Sequence, residues 1–208
     1  MSNAKTKIAT AIFALLFGLG VIQTAAAGQV NFADPAFART GNITSIPVGH
    51  SEFCKSHRSE CGPNRDPVAA MVLTDQRWQE LQQINSVINM AVIPVTDLDY
   101  YKVSEYWAYP QGYGDCEDFV LAKRQALIAA GWNPSTLLIT VVRERNGNGH
   151  AVLMVRTDRG DLVLDNQDGR VLLWNQTPYE YLKRQSQASA GQWVDILADN
   201  QVYVAAAQ

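Results

Sequence analysis

The chain has no excess of positive charge: 17 Lys and Arg stand against 20 Asp and Glu in 208 residues, and the basic side chains are scattered. Phosphate backbones are bound by basic patches, so this balance argues against nucleic acid as a partner. Low-complexity tracts and internal repeats are missing too, so the chain reads as an ordinary globular protein. The apolar run from Ile8 to Val21 is too short for a mature membrane span. Cysteine and histidine are scarce, at three residues each, so thiol or imidazole chemistry has few candidates.

What stands at the N-terminus is an export signal. Lys5 and Lys7 precede the apolar run, and small residues at Ala25 and Ala27 follow it. This predicts a signal peptide over residues 1–27, cut after Ala27, with a retained anchor as the competing reading. Residues 28–208 then form one domain with a real core, periplasmic or secreted, with no stable membrane insertion after cleavage.

Export decides how the cysteines are read. Cys54 and Cys61 lie close together in "CKSHRSEC", between turn formers, and in an oxidising compartment they are expected to pair as a disulfide. The competing reading is a zinc site, because His50, Cys54, His57 and Cys61 have suitable ligand types, although their spacing matches no common zinc module. Either way Cys116 is left alone.

Residues 28 to about 66 carry Pro, Gly and Asn at short intervals and are expected to wrap irregularly over the core. Trp78, Leu81, Ile84, Ile88 and Ala91 recur at helical spacing, predicting an amphipathic helix from Asp75 to about Met90. A long, aromatic-rich loop follows, of a length that tends to be functional. A second helix is expected from Cys116 to about Ala130, stopped by Gly131. The period then switches to runs of β-branched and apolar residues separated by "NGNG", "TDRG" and "NQDG", predicting a four-stranded antiparallel meander. A short helix around Tyr179–Gln185 and a strand near Val202–Val204 complete the expectation. The fold class is α+β, with helices on one face of an antiparallel sheet.

Cys116 opens its helix, where free backbone N–H groups and the helix dipole favour a thiolate and can receive an oxyanion. The bland reading is a small buried hydrophobe, against which Gly112 and Gly114 let a substrate backbone approach. A thiol nucleophile needs a base, and the base needs an orienting group. His150 heads a strand. If Asp158 and Arg159 are the central residues of the next turn, residue 150 lies across from 167, and Asp165 is one diagonal step away on the same face. His50 and His57 are rival bases in the irregular segment. Trp107 is a candidate second oxyanion donor through its indole N–H.

Asp115, Glu117 and Asp118 crowd the same thiol. Asp115 at the N-cap and Asp118 at N3 fit helix capping. Three carboxylates would also raise the thiol pKa, and a bound Ca2+ would remove that conflict, with Asp97 and Asp99 as further oxygen sources. No organic cofactor is indicated.

"YWAYPQGYGDCEDFVLAKRQALIAAGW" and "GHAVLMVRTDRGDLVLDNQ" together resemble the bacterial transglutaminase-like cysteine proteinases, the family that includes the LapG-type periplasmic proteases. The resemblance covers about residues 75–175. It implies a papain-like, transglutaminase-like fold with the nucleophile at a helix N-terminus and a Cys116, His150, Asp165 triad. It also implies calcium held by Asp115, Glu117 and Asp118, and a protein substrate. In LapG-type members that substrate is a surface adhesin, under control of an inner-membrane receptor. The pair at Cys54 and Cys61 departs from that pattern. The expected activity is an exported cysteine peptidase. An acyl transferase or amidase with the same triad, or a non-catalytic binding module of the same fold, are the rivals.

Overall fold

A computed structural model describes residues 35–197 together with 30, 32 and 33. The expected signal peptide and the strand expected near Val202–Val204 lie outside the described residues. In chain order the elements are β1 (Thr40–Thr44), α1 (Val48–Ser56), α2 (Asp75–Ala91), β2 (Ile93–Pro94), α3 (Asp97–Tyr100), β3 (Tyr113–Gly114) and α4 (Cys116–Ala129). They continue with β4 (Leu137–Arg143), β5 (Gly149–Thr157), β6 (Gly160–Leu164), β7 (Leu172–Leu173), β8 (Glu180–Gln185) and β9 (Trp193–Ile196).

Local chemistry sets the helix ends. The Thr74 hydroxyl caps α2 by accepting from the Arg77 N–H at 3.2 Å. Gly131, at φ +88°, ends α4: its N–H reaches Ile128 O and the Trp132 N–H reaches Leu127 O, both at 3.0 Å. The expected meander is present as β4-β5-β6-β7, and the β5–β6 turn places Thr157 opposite Gly160. That turn has Asp158 and Arg159 at its centre, as the sequence register requires.

The sheet is larger than expected, in the order β1-β9-β8-β4-β5-β6-β7, with every pairing antiparallel. Residues 180–185 form β8 rather than a helix. The open edge of β4 carries unpaired N–H and C=O groups, and β8 satisfies them. Residues 28 to 66 are likewise not wholly irregular, since they contain β1, which completes the sheet edge, and α1.

Period-2 alternation gives the sheet two apolar faces. Leu137, Ile139, Leu153, Val155, Leu162 and Leu164 face the layer that holds Leu81 of α2 and Val120, Leu121 and Leu127 of α4. Each fully buried leucine contributes about 1.5–3 kcal/mol relative to exposure. Leu138, Val142, Val152, Met154 and Val163 face the other way, under Trp174, Tyr181 and Ile196. α4 packs on β5 and α2 on α4, and the first residues of α4 and of β5 border one cleft.

The long loop is tied at its neck. β2 and β3 pair in parallel, Ile93 opposite Tyr113 and Pro94 opposite Gly114, and the Val95 N–H bonds Gly114 O at 3.0 Å. That clasp brings α3 against the start of α4. No helix among the described residues is long and apolar enough to cross a membrane.

Candidate active site

Cys116 is the first residue of α4 and is partly exposed. Gly114 must be glycine: a Cβ there would stand 2.6 Å from Asp118 Oδ2 and 2.7 Å from Asp118 Cβ. The thiol donates to Glu117 Oε2 at 3.1 Å. Burial pushes the Cys116 thiol well above its ordinary range, and the charge and hydrogen bond of Glu117 push the same way; the Ala151 N–H opposes them. The helix start alone therefore does not make this sulfur a thiolate.

His150 enters from β5, opposite Val142 of β4, and is buried. Its Nε2 lies 2.9 Å from Asp165 Oδ1, just beyond the end of β6. Burial alone would raise the Asp165 pKa, but hydrogen bonds from His150, the Tyr179 hydroxyl and the Gln167 N–H outweigh it, so the carboxyl is held below its usual range. An ionised Asp165 only accepts, which puts the imidazole proton on Nε2 and the lone pair on Nδ1. The Gln167 side-chain amide stands 3.4 Å from that Nδ1.

Cys116 and His150 open onto one cleft of about 220 Å³, walled by Pro47, Glu105, Trp107 and Ala151. The expected partners are thus drawn together from α4, β5 and the end of β6. Trp107 lines the cleft, and its indole N–H donates to Glu105 Oε1 at 2.7 Å. His50 does not line it. That ring is buried between Trp107 and Trp193, accepts from Trp193 Nε1 at 3.2 Å, and is lowered to about 4 by burial and then by the Arg124 charge. His57 stacks on Phe53 with centroids 4.0 Å apart. Cys54 and Cys61 form the expected disulfide, which removes the zinc alternative.

The acidic residues form a second centre beside the sulfur. Asp97, Asp115 and Glu117 each bring one ligand oxygen within 4.8 Å of the others. Asp115 sits at the N-cap but makes no side-chain cap bond; its Oδ2 accepts from the Asp97 N–H at 3.3 Å. Asp97 accepts from the Tyr106 N–H. Asp118 Oδ1 accepts from the Ala108 N–H at 2.8 Å. Asp115 Oδ1 and Asp118 Oδ2 are buried without a hydrogen-bond partner.

Burial and then the Asp115 charge push Glu117 up to about 9. Burial raises Asp115 as well. Asp118 is pushed to about 7 and Asp97 to about 6, in both cases by burial first and by carboxylate neighbours in addition. Hard oxygen donors with free lone pairs suit Ca2+ rather than zinc.

Sequence reasoning passed over Tyr179, for which no local signal exists. Gln167 was within reach, because the register that selects Asp165 places residue 167 directly opposite His150. Asp99, offered as an oxygen source, instead accepts at Oδ2 from the Thr96 hydroxyl at 2.9 Å.

Comparison with known proteins gives one family. The bacterial transglutaminase-like cysteine proteinase (BTLCP) model matches residues 40–201. Legionella pneumophila LapG in its calcium-bound form is 25% identical with a TM-score of 0.49, covering 56% of this chain and 68% of LapG. LapG from the same organism, and its EGTA-treated form, are each 26% identical with a TM-score of 0.48, covering 56% of this chain and 66% of LapG. No curated protein matches the chain.

Proposed function

The chain belongs to the bacterial transglutaminase-like cysteine proteinase family, and from that premise we propose that it is an exported, periplasmic cysteine peptidase with a Cys116, His150, Asp165 triad. One observation carries the assignment: His150, bonded to the buried Asp165, opens onto the same cleft as the sole free thiol among the described residues.

His150 Nδ1 takes the Cys116 proton as the sulfur attacks a peptide carbonyl carbon, while Asp165 stabilises the imidazolium through Nε2–H. The carbonyl oxygen gains charge facing the first N–H groups of α4. As the C–N bond breaks, the imidazolium gives its proton to the departing amine, leaving a thioester. Water, deprotonated by the same Nδ1, then hydrolyses the thioester and restores the thiol.

Asp97, Asp115 and Glu117, with the free oxygen of Asp118, would hold calcium. The ion would supply positive charge beside a thiol that these carboxylates otherwise keep protonated. Support comes from the donor set and its unpartnered oxygens. The Cys54–Cys61 disulfide supports an oxidising compartment. We propose a surface protein as substrate; the family resemblance points to an adhesin and an inner-membrane receptor.

The test is cleavage of the cell's own surface proteins by wild type and Cys116→Ala, with and without a calcium chelator. Cleavage by wild type alone, abolished by the chelator, is the expected result. Equal cleavage by both proteins would overturn the triad. Incorporation of a labelled amine without cleavage would favour acyl transfer.

A further inference from the structure

Lys123 lies two turns beyond Cys116 on α4 and is fully buried. Its ammonium has no hydrogen-bond partner, and the Phe119 ring stands 5.7 Å from Nζ. Among the described residues the charged group that acts on it is Asp165; burial outweighs that attraction and lowers Lys123 to about 7.

Three other orphaned polar atoms lie around the turn that begins at Asp165, the carboxylate whose charge acts on Lys123. Asn85 and Asn89, four apart and so on one face of α2, grip the turn after β6: Asn85 Nδ2 donates to Gly169 O at 3.1 Å and Asn89 Nδ2 to Asp165 O at 2.8 Å. Both leave Oδ1 buried and unpartnered, and so does Asn166, the residue after Asp165. Buried amide oxygens and ammonium groups are nearly always satisfied. Three acceptors are left over around this turn and a group with three donors on α4, which packs on α2, and buried water is the ordinary means of joining such atoms.

We propose that Lys123 is a positioning residue for the triad: through bridging water its donors serve the free oxygens of Asn85, Asn89 and Asn166, which fixes the 165–169 turn and holds the Asp165 carboxylate under His150. A methionine of similar length would fill the space but leave the three amide oxygens without a donor. The proposal rests on the triad reading above.

Lys123→Met tests it, with calcium present throughout, by the rate at which iodoacetamide alkylates Cys116, the low-field NMR signal of the His150–Asp165 proton, and Tm. The expected result is a moderate fall in Tm, alkylation slower by roughly ten- to hundredfold at a temperature where the variant is fully folded, and loss of the low-field signal through faster exchange. Alkylation within about twofold of wild type, with the signal intact, overturns the proposal. Wild-type Cys116 reacting no faster than in the denatured chain removes the triad itself, and the positioning role with it. Should Lys123→Met not fold, 15N-lysine NMR of the wild type with calcium decides. At pH 6, NOE contacts from the Lys123 Nζ hydrogens to the side-chain amides of Asn85 and Asn89 support the network, and an Nζ with no such contacts overturns it.

Discussion

His150 Nε2 meets Asp165 Oδ1 at 2.9 Å with both side chains 2% exposed, and the remaining Asp165 oxygen is occupied by the Tyr179 hydroxyl. A carboxylate so held can be exchanged for an amide without losing its orientation. In Asp165→Asn the amide oxygen still accepts from His150 and the amide N–H₂ donates to Tyr179, so the tautomer survives and only the charge is lost. Asp165→Ala loses both. Peptide cleavage is expected to fall roughly 10- to 100-fold in Asp165→Asn and about 10³- to 10⁴-fold in Asp165→Ala. Equal losses would mean that the charge, not the orientation, is what matters.

Tyr179→Phe strips a donor from a buried carboxylate and is expected to cost about 1–3 kcal/mol in denaturant unfolding. The sign of its pH effect follows from the direction of the Asp165 shift. A carboxyl depressed in the folded state contributes stability above its unfolded pKa and loses it as pH falls through the folded value. Removing one depressing bond raises the folded value, so the acid-unfolding limb of the variant should move to higher pH. Acid titration of both proteins, followed by tryptophan fluorescence, reads the shift.

Calcium at the proposed site would have to compete with protons, because burial and the Asp115 charge hold Glu117 up to about 9. Binding near pH 7 is therefore expected to release protons, and affinity should rise from pH 6 to pH 8 as the carboxylates ionise. Calorimetry in two buffers of different ionisation enthalpy measures the release. Glu117→Gln should bind more weakly and release fewer protons. In the same titration the wild-type Tm should rise with calcium concentration, as it does for any ligand of the native state alone.

The parts of this molecule that were legible in its sequence share one property: their causes are local. α2, α4 and the β4–β7 meander follow from helical spacing, a glycine stop and turns such as the one around Asp158 and Arg159. The same turn fixes the register, which in turn pairs His150 with Asp165. What escaped depends on distant partners. Residues 180–185 become a strand because β4 needs a neighbour, and β1 forms because β9 offers an edge. Asp97 joins Asp115 only because β2 and β3 clasp the loop neck. Tyr179 reaches Asp165 across a connection that no periodicity reveals. The acidic residues at the start of α4 looked like caps, yet Asp115 turns to the Asp97 N–H instead.

The Cys54–Cys61 bridge closes a short segment, with a sequence separation of 7. By chain entropy such a loop contributes about 2–3 kcal/mol. Replacing both cysteines by serine should lower stability by that amount, read by urea unfolding. Reducing agent should do the same to the wild type and nothing further to the double variant.

Gly49 of α1 reports on the cleft wall from outside it. A Cβ at this position would stand 2.3 Å from Trp107 Cδ1, 2.5 Å from Trp107 Nε1 and 2.8 Å from Glu105 Cγ, and Trp107 and Glu105 both line the cleft. The indole has little room to withdraw, because the buried His50 ring lies 5.2 Å from it on the inner side. Gly49→Ala should cost about 1–3 kcal/mol through overpacking. The strain falls on the wall rather than on the sulfur, so reaction of Cys116 with small iodoacetamide should change less than its reaction with a peptidyl electrophile that must fit the cleft. Gly62→Ala is the control, since a Cβ there meets nothing within 4 Å, and it should stay within about 0.5 kcal/mol of wild type. If the two reagents slow equally in Gly49→Ala, Trp107 is not a surface the substrate touches, and the cleft described by Cys116 and His150 must be entered from another side.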